Sequence, residues 1–191
     1  MEYKRLMQGY EKFLDEILIT EDALQKRIAE LGAQISKDYK GKQPHLICIL
    51  RGGVMFLTDL IRHLTVPNSI DFMAISSYGV GARQSTGKVR ITLDLQEDII
   101  DRDVLLVEDI VDSGYTIATV LEFLKTRHQS SLRVCALLNK IERREIQVPI
   151  DYCGFVIPDK FVFGYGLDLD ELYRNLPFIG TVNPERYHPP E

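Results

Sequence analysis

The sequence has few cysteines, no regular histidine spacing, no long apolar run and no excess of basic charge, and each shortage excludes a class of protein. Its three cysteines stand apart without a C-x-x-C pair, which predicts reduced core thiols and no disulfide framework. Its four histidines lack ligand spacing, so we expect no zinc site. No window approaches the roughly 18 apolar residues that a membrane span requires.

Charge and the amino terminus narrow the class further. The formal net charge is −5, whereas proteins that bind duplexes usually carry a basic face, so nucleic acid is not an expected partner. The first residues, Met-Glu-Tyr-Lys-Arg, do not resemble the apolar core of a signal peptide. We expect a cytoplasmic protein without membrane contact. The 191 residues, 45% of them hydrophobic, predict a single domain over 1–191.

The most informative stretch covers residues 104–116 and reads Val-Leu-Leu-Val-Glu-Asp-Ile-Val-Asp-Ser-Gly-Tyr-Thr. Its apolar start predicts a strand that is buried on both faces, and Ser113 and Gly114 lead into the apolar spacing of a helix. The turn between them would present free backbone N–H groups and the positive end of a helix dipole, the usual seat of a phosphate. The sequence therefore predicts an anion site at the end of a buried strand.

Three carboxylates distinguish this turn from a Walker-type loop, in which a lysine reaches the phosphate. Glu108 and Asp109 follow the apolar run, and because ionised carboxylates only accept hydrogen bonds, they suit the diol of a ribose. Close to a polyphosphate, they also imply a divalent cation. The alternative is an acidic strand-to-helix turn in which Asp112 or Ser113 only caps the helix.

Residues 104–116 closely resemble the phosphoribosyl-pyrophosphate motif of the type I phosphoribosyltransferases. Further stretches occur in the order seen in the hypoxanthine-guanine branch of that family, so that the matches span about residues 10 to 180. Lys140 together with Pro158–Asp168, the last of these stretches, indicates enzymes that act on 6-oxopurines. The additional stretches are Ile49–Val54, Ser76–Tyr78 with Gln84–Gly87, Leu138–Lys140 and Pro158–Asp168.

The resemblance and the alternation of strands with helices predict an α/β fold of the type I phosphoribosyltransferase kind. We expect a core over about residues 20–157, with a central, mainly parallel sheet flanked by helices. A small hood lobe would combine a strand at about 10–19 with the segment 158–191. The strands of the central sheet are expected near 45–50, 70–77, 104–109, 132–138 and 153–157, with a half-buried strand at 88–95 and helices after residues 20, 53 and 115.

The resemblance also implies a reaction. It is the transfer of ribose 5-phosphate from phosphoribosyl pyrophosphate to N9 of hypoxanthine and also guanine, which gives IMP or GMP and pyrophosphate, with Mg²⁺ as the metal ion. Asp112 is the candidate proton-handling residue, because the matching aspartate of the family faces N7 of the purine. Lys140 would donate to O6, which adenine lacks. Phe161 would stack on the ring, and Val162 would offer main-chain groups.

The same resemblance assigns the remaining contacts. The 5′-phosphate would lie in the turn at 112–116, where Tyr115 replaces a lysine of some relatives. Asp168, Glu108 and Asp109 are the candidate Mg²⁺ ligands. Arg51 and Gly52, where the family has a non-proline cis peptide, and Arg174 would meet pyrophosphate, and Ser77 and Tyr78 would begin a lid that reaches Gly87 and excludes water. Together the predicted substrate contacts are Arg51, Gly52, Ser77, Tyr78, Glu108, Asp109, Ile110, Val111, Ser113, Gly114, Tyr115, Thr116, Lys140, Phe161, Val162, Asp168 and Arg174.

Several alternatives stay open. Lys140 begins a charged run and could be a solvated surface lysine; Gly52-Gly53 could be a plain strand-to-helix turn; and residues 77–87 could be an ordinary surface loop. A xanthine-preferring enzyme is poorly excluded, and a non-catalytic phosphoribosyl-pyrophosphate sensor that regulates transcription would share the fold. Because the family forms dimers and tetramers, a homodimer or homotetramer is expected.

Overall fold

The computed structural model describes residues 9–77 and 89–187, which contain nine strands and three α-helices. A short 3-10 turn at Tyr10–Lys12 precedes the first strand. In chain order the elements are β1 (Leu14–Ile19), α1 (Glu21–Asp38), β2 (His45–Leu50), α2 (Val54–Arg62), β3 (Ser69–Ser77), β4 (Val89–Leu93), β5 (Asp103–Val111), α3 (Tyr115–Lys125), β6 (Ser131–Asn139), β7 (Tyr152–Val156), β8 (Val162–Phe163) and β9 (Ile179–Val182).

The main sheet has six strands in the order β4-β3-β2-β5-β6-β7. All neighbours are parallel except β4, which pairs antiparallel with β3 at one edge. The central strand β5 carries the apolar run of the sequence, and Val104 to Val107 are fully buried between layers. Burial on both faces explains why this strand reads as a continuous apolar run. The expected α/β fold with a mainly parallel sheet is confirmed.

The strand order of this sheet marks the place where a ligand would bind. From β2 the chain moves outward to β3 on one side, and from β5 it moves outward to β6 and β7 on the other. In open α/β sheets, ligands bind outside the carboxyl ends of the strands at such a reversal. The loop after Leu50 and the turn after Val111 lie at this point.

Helices cover both faces of the sheet. On one face, α1 begins where Thr20 accepts a hydrogen bond from the Ala23 N–H at 3.3 Å, as its sequence predicts. The buried side of α1 packs with α2 in one hydrophobic cluster, whereas α3 belongs to a second cluster. No helix within 9–77 and 89–187 is long and apolar enough to cross a membrane.

A smaller antiparallel sheet, β1-β9-β8, joins the two ends of the described chain. Its aromatic cluster places the Phe13 ring 5.6 Å from the Phe163 ring and 5.3 Å from the Tyr187 ring. This sheet corresponds to the expected hood. It brings the segment after β7 over the carboxyl edge of the main sheet, and three of its residues, Ile19, Val162 and Ile179, pack in the same cluster as α1 and α2.

At the turn that follows β5, two boundaries differ from the sequence prediction. Strand β5 continues two residues past 109, because Ile110 and Val111 still pair with Leu138 and Asn139 of β6. Helix α3 begins at Tyr115, one residue earlier than predicted. The predicted lid from Tyr78 to Gly87 lies outside the described residues, and of Ser77 only the backbone, as the end of β3, is described.

Candidate functional site

The turn between β5 and α3 requires a glycine. Gly114 has φ of 94°, and a side chain there would overlap the backbone oxygen of Ile146. No side chain of the described chain caps α3, so the alternative in which Asp112 or Ser113 serves as the helix cap is wrong. The first amides of an α-helix have no intrahelical acceptor, and at α3 they are therefore available to an anion.

The loop after β6 holds the carbonyl side of this turn. Arg144 donates from Nε to the Asp112 oxygen at 2.9 Å and from Nη2 to the Val111 oxygen at 3.2 Å. The Ser113 oxygen accepts from the backbone of residues 145 and 146 at 2.9 and 3.0 Å. The C=O and N–H of a trans peptide point in opposite directions. The N–H groups of the same three peptides, those of residues 112 to 114, therefore point away from the loop after β6. Sequence reasoning missed Arg144, since it lies in a charged run that resembles a solvated surface.

Two buried carboxylates stand just before the turn. Glu108 and Asp109 are each 8% exposed. Burial raises the pKa of Glu108 well above its usual range, and the neighbouring Asp109 raises it further. Burial also raises the pKa of Asp109, although the Ile110 amide, 3.0 Å from its Oδ1, lowers it. Glu108 Oε2 is shielded from water without a hydrogen-bond partner among the described residues, so the site has an acceptor for a ligand hydroxyl or cation.

A four-charge group, the β6 cluster, lies beside the turn and consists of Asp112, Lys140, Arg143 and Asp159. The Lys140 ammonium is 4.0 Å from Asp112 Oδ2 and 3.7 Å from Asp159 Oδ1. Arg143 approaches the same two carboxylates at 3.5 and 3.6 Å. Lys140 is only 4% exposed, so the alternative of a solvated surface lysine is wrong. Arg143 and Asp159 are additional members that sequence reasoning did not single out.

The Asp112 carboxylate has one unsatisfied oxygen. Oδ1 is buried and receives no hydrogen bond from the described residues, although Arg143 Nε lies 3.5 Å away. A buried acceptor without a donor is costly in a folded protein and is concentrated at functional sites. Asp112 can therefore accept a proton or a hydrogen bond from a ligand that reaches this position.

A second charged group, the hairpin cluster, lies on the opposite side of the turn and consists of Arg51, Asp168, Glu171 and Arg174. Arg51 Nη1 is 2.7 Å from Glu171 Oε2, and Arg174 Nη2 is 2.9 Å from Asp168 Oδ1 and 3.3 Å from Glu171 Oε2. The structure thus brings together Arg51, Asp168 and Arg174 as predicted. It adds Glu171, which the sequence analysis did not single out.

Backbone contacts join the two sides of the site. Gly52 lies against the Asp109 carboxylate, where a side chain at position 52 would overlap it, and Gly166 lies against the Gly52 oxygen. The cis peptide bond of this loop is Leu50–Arg51. The expectation that associated a cis bond with Arg51–Gly52 is therefore displaced by one residue.

The remaining predicted residues are distributed around these groups. Phe161 follows Asp159 by two residues with its ring 58% exposed, and the buried Val162 begins β8. Thr116 is in the first turn of α3, where the Glu145 carboxylate raises the pKa of the neighbouring Tyr115 hydroxyl. Tyr78 lies outside the described residues.

The acidic residues do not form a complete metal cage by themselves. Within residues 9–77 and 89–187, no group of three or more His, Cys, Asp or Glu side chains is arranged to hold a metal ion. Asp168 instead accepts from Arg174 and, at 2.9 Å, from the Glu171 N–H. Because Mg²⁺ takes one or two protein carboxylates and completes its shell with phosphates and water, the acids present fit an ion that arrives with a phosphorylated ligand.

A turn with free helix amides beside two buried carboxylates, at the reversal of a doubly wound sheet, is typical of proteins that bind a sugar phosphate. The chain belongs to the phosphoribosyl transferase family, because residues 15–171 match the model of the phosphoribosyl transferase domain. It is 49% identical over 180 residues to the hypoxanthine-guanine phosphoribosyltransferase of Mycobacterium avium, covering 91% of this chain and 88% of the relative. It is 50% identical over 169 residues to the hypoxanthine phosphoribosyltransferase of Salmonella typhimurium, covering 87% and 94%.

A solved structure agrees with these relatives. The hypoxanthine phosphoribosyltransferase of Staphylococcus aureus superposes with a TM-score of 0.89 at 46% identity, covering 96% of this chain and 100% of that protein. The likeness includes both the main sheet and most of the remaining chain. The family resemblance inferred from the motifs is confirmed.

Proposed function

We propose that this chain is an enzyme of purine salvage that transfers the 5-phosphoribosyl group from phosphoribosyl pyrophosphate to N9 of hypoxanthine, and also of guanine. The products are IMP or GMP and pyrophosphate. The observation that carries the proposal is the buried Lys140 ammonium, 4.0 Å from the Asp112 carboxylate at the edge of the anion turn. Relatives that are 49% and 50% identical and carry the names of such enzymes support it.

Lys140 recognises the 6-oxo group. An ammonium has three donors and no acceptor, so it suits O6 of hypoxanthine or guanine and opposes the amino group of adenine. Because Lys140 is shielded from water, a base that fails to accept its hydrogen bond leaves a buried charge with poorer partners, and such a mismatch discriminates strongly. Phe161 stacks on the purine, and the main chain of Val162 meets its edge.

Asp112 handles the proton of the base. Its buried and unsatisfied Oδ1 offers an acceptor for N7–H of the purine. Taking or holding that proton raises electron density at N9, which attacks C1′ of the sugar as pyrophosphate leaves. Lys140 and Arg143 approach the same carboxylate and keep it in place.

The sugar phosphate lies along the turn and the buried acids. The amides of the turn and the hydroxyls of Ser113 and Thr116 hold the 5′-phosphate, with Gly114 allowing close approach. Glu108 and Asp109 accept from the ribose hydroxyls. The backbone of Ile110, Val111 and Tyr115 shapes this surface, whereas Arg51, Gly52 and Arg174 bind pyrophosphate. Ser77 and Tyr78 would cover the pyrophosphate, although Tyr78 lies outside the described residues.

Asp168 would be the principal protein ligand of a Mg²⁺ ion that arrives with the substrate, and Glu108 and Asp109 would hold it close to the ribose hydroxyls. The ion would neutralise charge on the pyrophosphate group. The sparse set of protein carboxylates agrees with this arrangement, since phosphates and water supply the remaining oxygens.

The chain acts as one domain, 1–191, in a cytoplasmic homo-oligomer, either a dimer or a tetramer. Support for the single domain comes from Ile19, Val162 and Ile179 of the small sheet, which pack in the same core cluster as α1 and α2. The expected assembly follows from the resemblance to a family that forms dimers and tetramers. Light scattering of the purified protein measures the assembly, and a monomer would contradict this part.

A single assay tests the function. The protein is incubated with phosphoribosyl pyrophosphate, Mg²⁺ and each of hypoxanthine, guanine, xanthine, adenine and uracil, and nucleotide formation is measured. We expect IMP and GMP to form, with adenine and uracil inactive. Turnover of xanthine alone, or no nucleotide from any base, would contradict the proposal.

A further inference from the structure

The hairpin at residues 168–172 has an uncommon backbone at its tip. Leu169 and Leu172 exchange two backbone hydrogen bonds of 3.1 Å each, and the two residues between them, Asp170 and Glu171, have φ of 50° and 67°. Two positive φ values define a type I′ turn, for which asparagine and glycine are the favoured residues. A glutamate with positive φ is uncommon and is concentrated where a side chain serves a function.

The Glu171 side chain occupies the space between two arginines. Its Oε2 is 2.7 Å from Arg51 and 3.3 Å from Arg174, while the side chain is 63% exposed to solvent. Exposed ion pairs contribute little to folding stability. The stability of the hairpin therefore does not account for the combination of an unfavourable backbone and an ordered, bridging carboxylate.

Arg174 does not depend on Glu171 for its position. Its Nη1 donates to the Gly166 oxygen at 2.8 Å, and its Nη2 contacts Asp168 Oδ1 at 2.9 Å. The Gly166 amide in turn donates to the Arg174 oxygen at 2.8 Å. Glu171 is thus an additional partner placed on an arginine that the surrounding chain already holds.

We propose that Glu171 is an affinity-setting residue that competes with the pyrophosphate group for Arg51 and Arg174. The inference rests on the proposed function, in which these two arginines bind pyrophosphate. In the ligand-free protein the carboxylate bridges them, and it leaves when a phosphorylated ligand arrives. Phosphate oxygens match the guanidinium fork and carry more charge than a carboxylate, so the ligand displaces Glu171.

This competition lowers affinity without removing any contact to the ligand. The apparent dissociation constant equals the intrinsic one divided by the fraction of protein in the competent state. A carboxylate that occupies the arginines about 70–90% of the time weakens binding by about three- to tenfold. The consequence is faster release of the pyrophosphate product, because the carboxylate returns as the anion leaves.

The test measures the binding of inorganic pyrophosphate by isothermal titration calorimetry, with and without Mg²⁺, to the full chain. Glu171→Gln removes the charge and keeps the size, and Glu171→Asn adds a residue that tolerates positive φ. We expect both variants to bind pyrophosphate about three- to tenfold more tightly and to lower the KM for phosphoribosyl pyrophosphate. The melting temperature confirms that each variant is folded.

Glu30→Gln is the matched control. Glu30 is likewise partly exposed and pairs with an arginine, Arg27, at 2.8 Å, so its replacement changes the net charge equally at a remote position. We expect its affinity for pyrophosphate to equal that of the unchanged protein. Equal tightening in this control would overturn the inference, because a general change of charge would then explain the effect.

The other outcomes are also decisive. Unchanged or weaker binding of pyrophosphate by both folded Glu171 variants would overturn the inference, since Glu171 would then support the arginines or the metal ion. Failure of the unchanged protein to bind pyrophosphate and to form nucleotide would reject the proposed function itself. Nucleotide formation by the unchanged protein, with no change in the variants, would reject only the role of Glu171.

Discussion

The two charged clusters of the site differ in burial and in how closely their charges are paired. In the β6 cluster, Lys140 is 4% exposed and its carboxylate partners lie 3.7 and 4.0 Å away. In the hairpin cluster, the arginines reach water, yet their contacts with carboxylates are 2.7 to 3.3 Å long. The β6 cluster contains one buried charge, Lys140, whose partners are loose, and the hairpin cluster contains arginines whose partners are close.

This difference indicates two modes of recognition. A buried ammonium with loose partners can donate to a neutral carbonyl without first breaking a short ion pair, and low local polarity makes a wrong partner costly. Exposed arginines in short contacts must exchange one anion for another, and solvent reduces the cost of each state. The first arrangement suits selection of a base, and the second suits reversible binding of a highly charged group.

The largest expected effect is at Asp112, which belongs to the β6 cluster. Asp112→Asn keeps the shape of the side chain but removes its capacity to take a proton, so we expect turnover to fall by about 10²- to 10⁴-fold. Steady-state kinetics with hypoxanthine measure the loss, and the melting temperature serves as the folding control. Turnover close to that of the unchanged protein would remove Asp112 from the mechanism.

The next effect concerns Lys140 and the identity of the base. Lys140→Met removes the donor to O6, and because a hydrogen bond to a charged group contributes about 1.5–3 kcal/mol, we expect kcat/KM for hypoxanthine to fall about ten- to hundredfold. The preference for hypoxanthine over adenine should fall with it. An equal loss of kcat/KM for both bases would show that Lys140 stabilises the site without distinguishing the substituent at the 6-position.

A smaller effect separates steric contact from backbone strain at the anion turn. Gly114→Ala meets the Ile146 oxygen in addition to an unfavourable φ of 94°, whereas Gly41→Ala has φ of 79° and open space around it. We expect the Gly41 variant to lose about 1–2 kcal/mol of unfolding free energy and the Gly114 variant to lose more. Urea denaturation measures both, and equal losses would contradict a close approach at Gly114.

The smallest expected effect lies at the amino ends of the strands of the main sheet, opposite the candidate site. This region has no proposed ligand and serves as a reference. His45 begins β2, is fully buried, and has its Nδ1 2.8 Å from Ser69 Oγ. Burial lowers the pKa of His45, and the nearby Arg102 lowers it further, while Asp71 and Glu97 oppose the shift. The folded state therefore disfavours the protonated ring.

The sign of the pH effect follows from this direction. As pH falls below about 6.5, the ordinary value for histidine, the unfolded chain takes up the proton before the folded protein does, so the free energy of unfolding decreases. The stabilisation is fully present above that pH. Urea denaturation at pH 7.5 and 5.5 measures how much the free energy of unfolding changes between the two pH values. We expect this change to be smaller for His45→Asn than for the unchanged protein. An equal change would assign the pH dependence to other groups.

Much of the fold could be predicted from local patterns. The run from Val104 to Val107 indicated a strand buried on both faces, and Thr20 indicated the start of α1, because each depends on neighbours in sequence. The end of β5 was predicted two residues early. Ile110 and Val111 stay in the sheet through pairing with β6, and partners that lie far away in sequence have no local signal.

The site shows the same division. Glu108, Asp109 and Asp112 could be singled out, since an acid-flanked turn is unusual next to an apolar run. Lys140 begins a charged run, and only the resemblance to enzymes for 6-oxopurines singled it out. Arg143, Arg144 and Glu171 could not be, because each lies in a charged segment that resembles a solvated surface, and Asp159 could not be, because it stands in a short Pro-Asp-Lys turn. Their roles depend on which distant carboxylate or carbonyl the fold brings within 4 Å of them.

The amino-acid sequence by itself determined which segments become strands and helices and which segment carries the anion turn, because periodicity, glycine and capping residues act over a few positions. Only the tertiary structure decided that Lys140 loses its water and that Glu171 lies between two arginines. Burial and the pairing of charges depend on contacts between segments more than a hundred residues apart, as for Arg51 and Glu171. Access to solvent controls how strongly each charged group interacts with its partners. It depends on the complete folded structure.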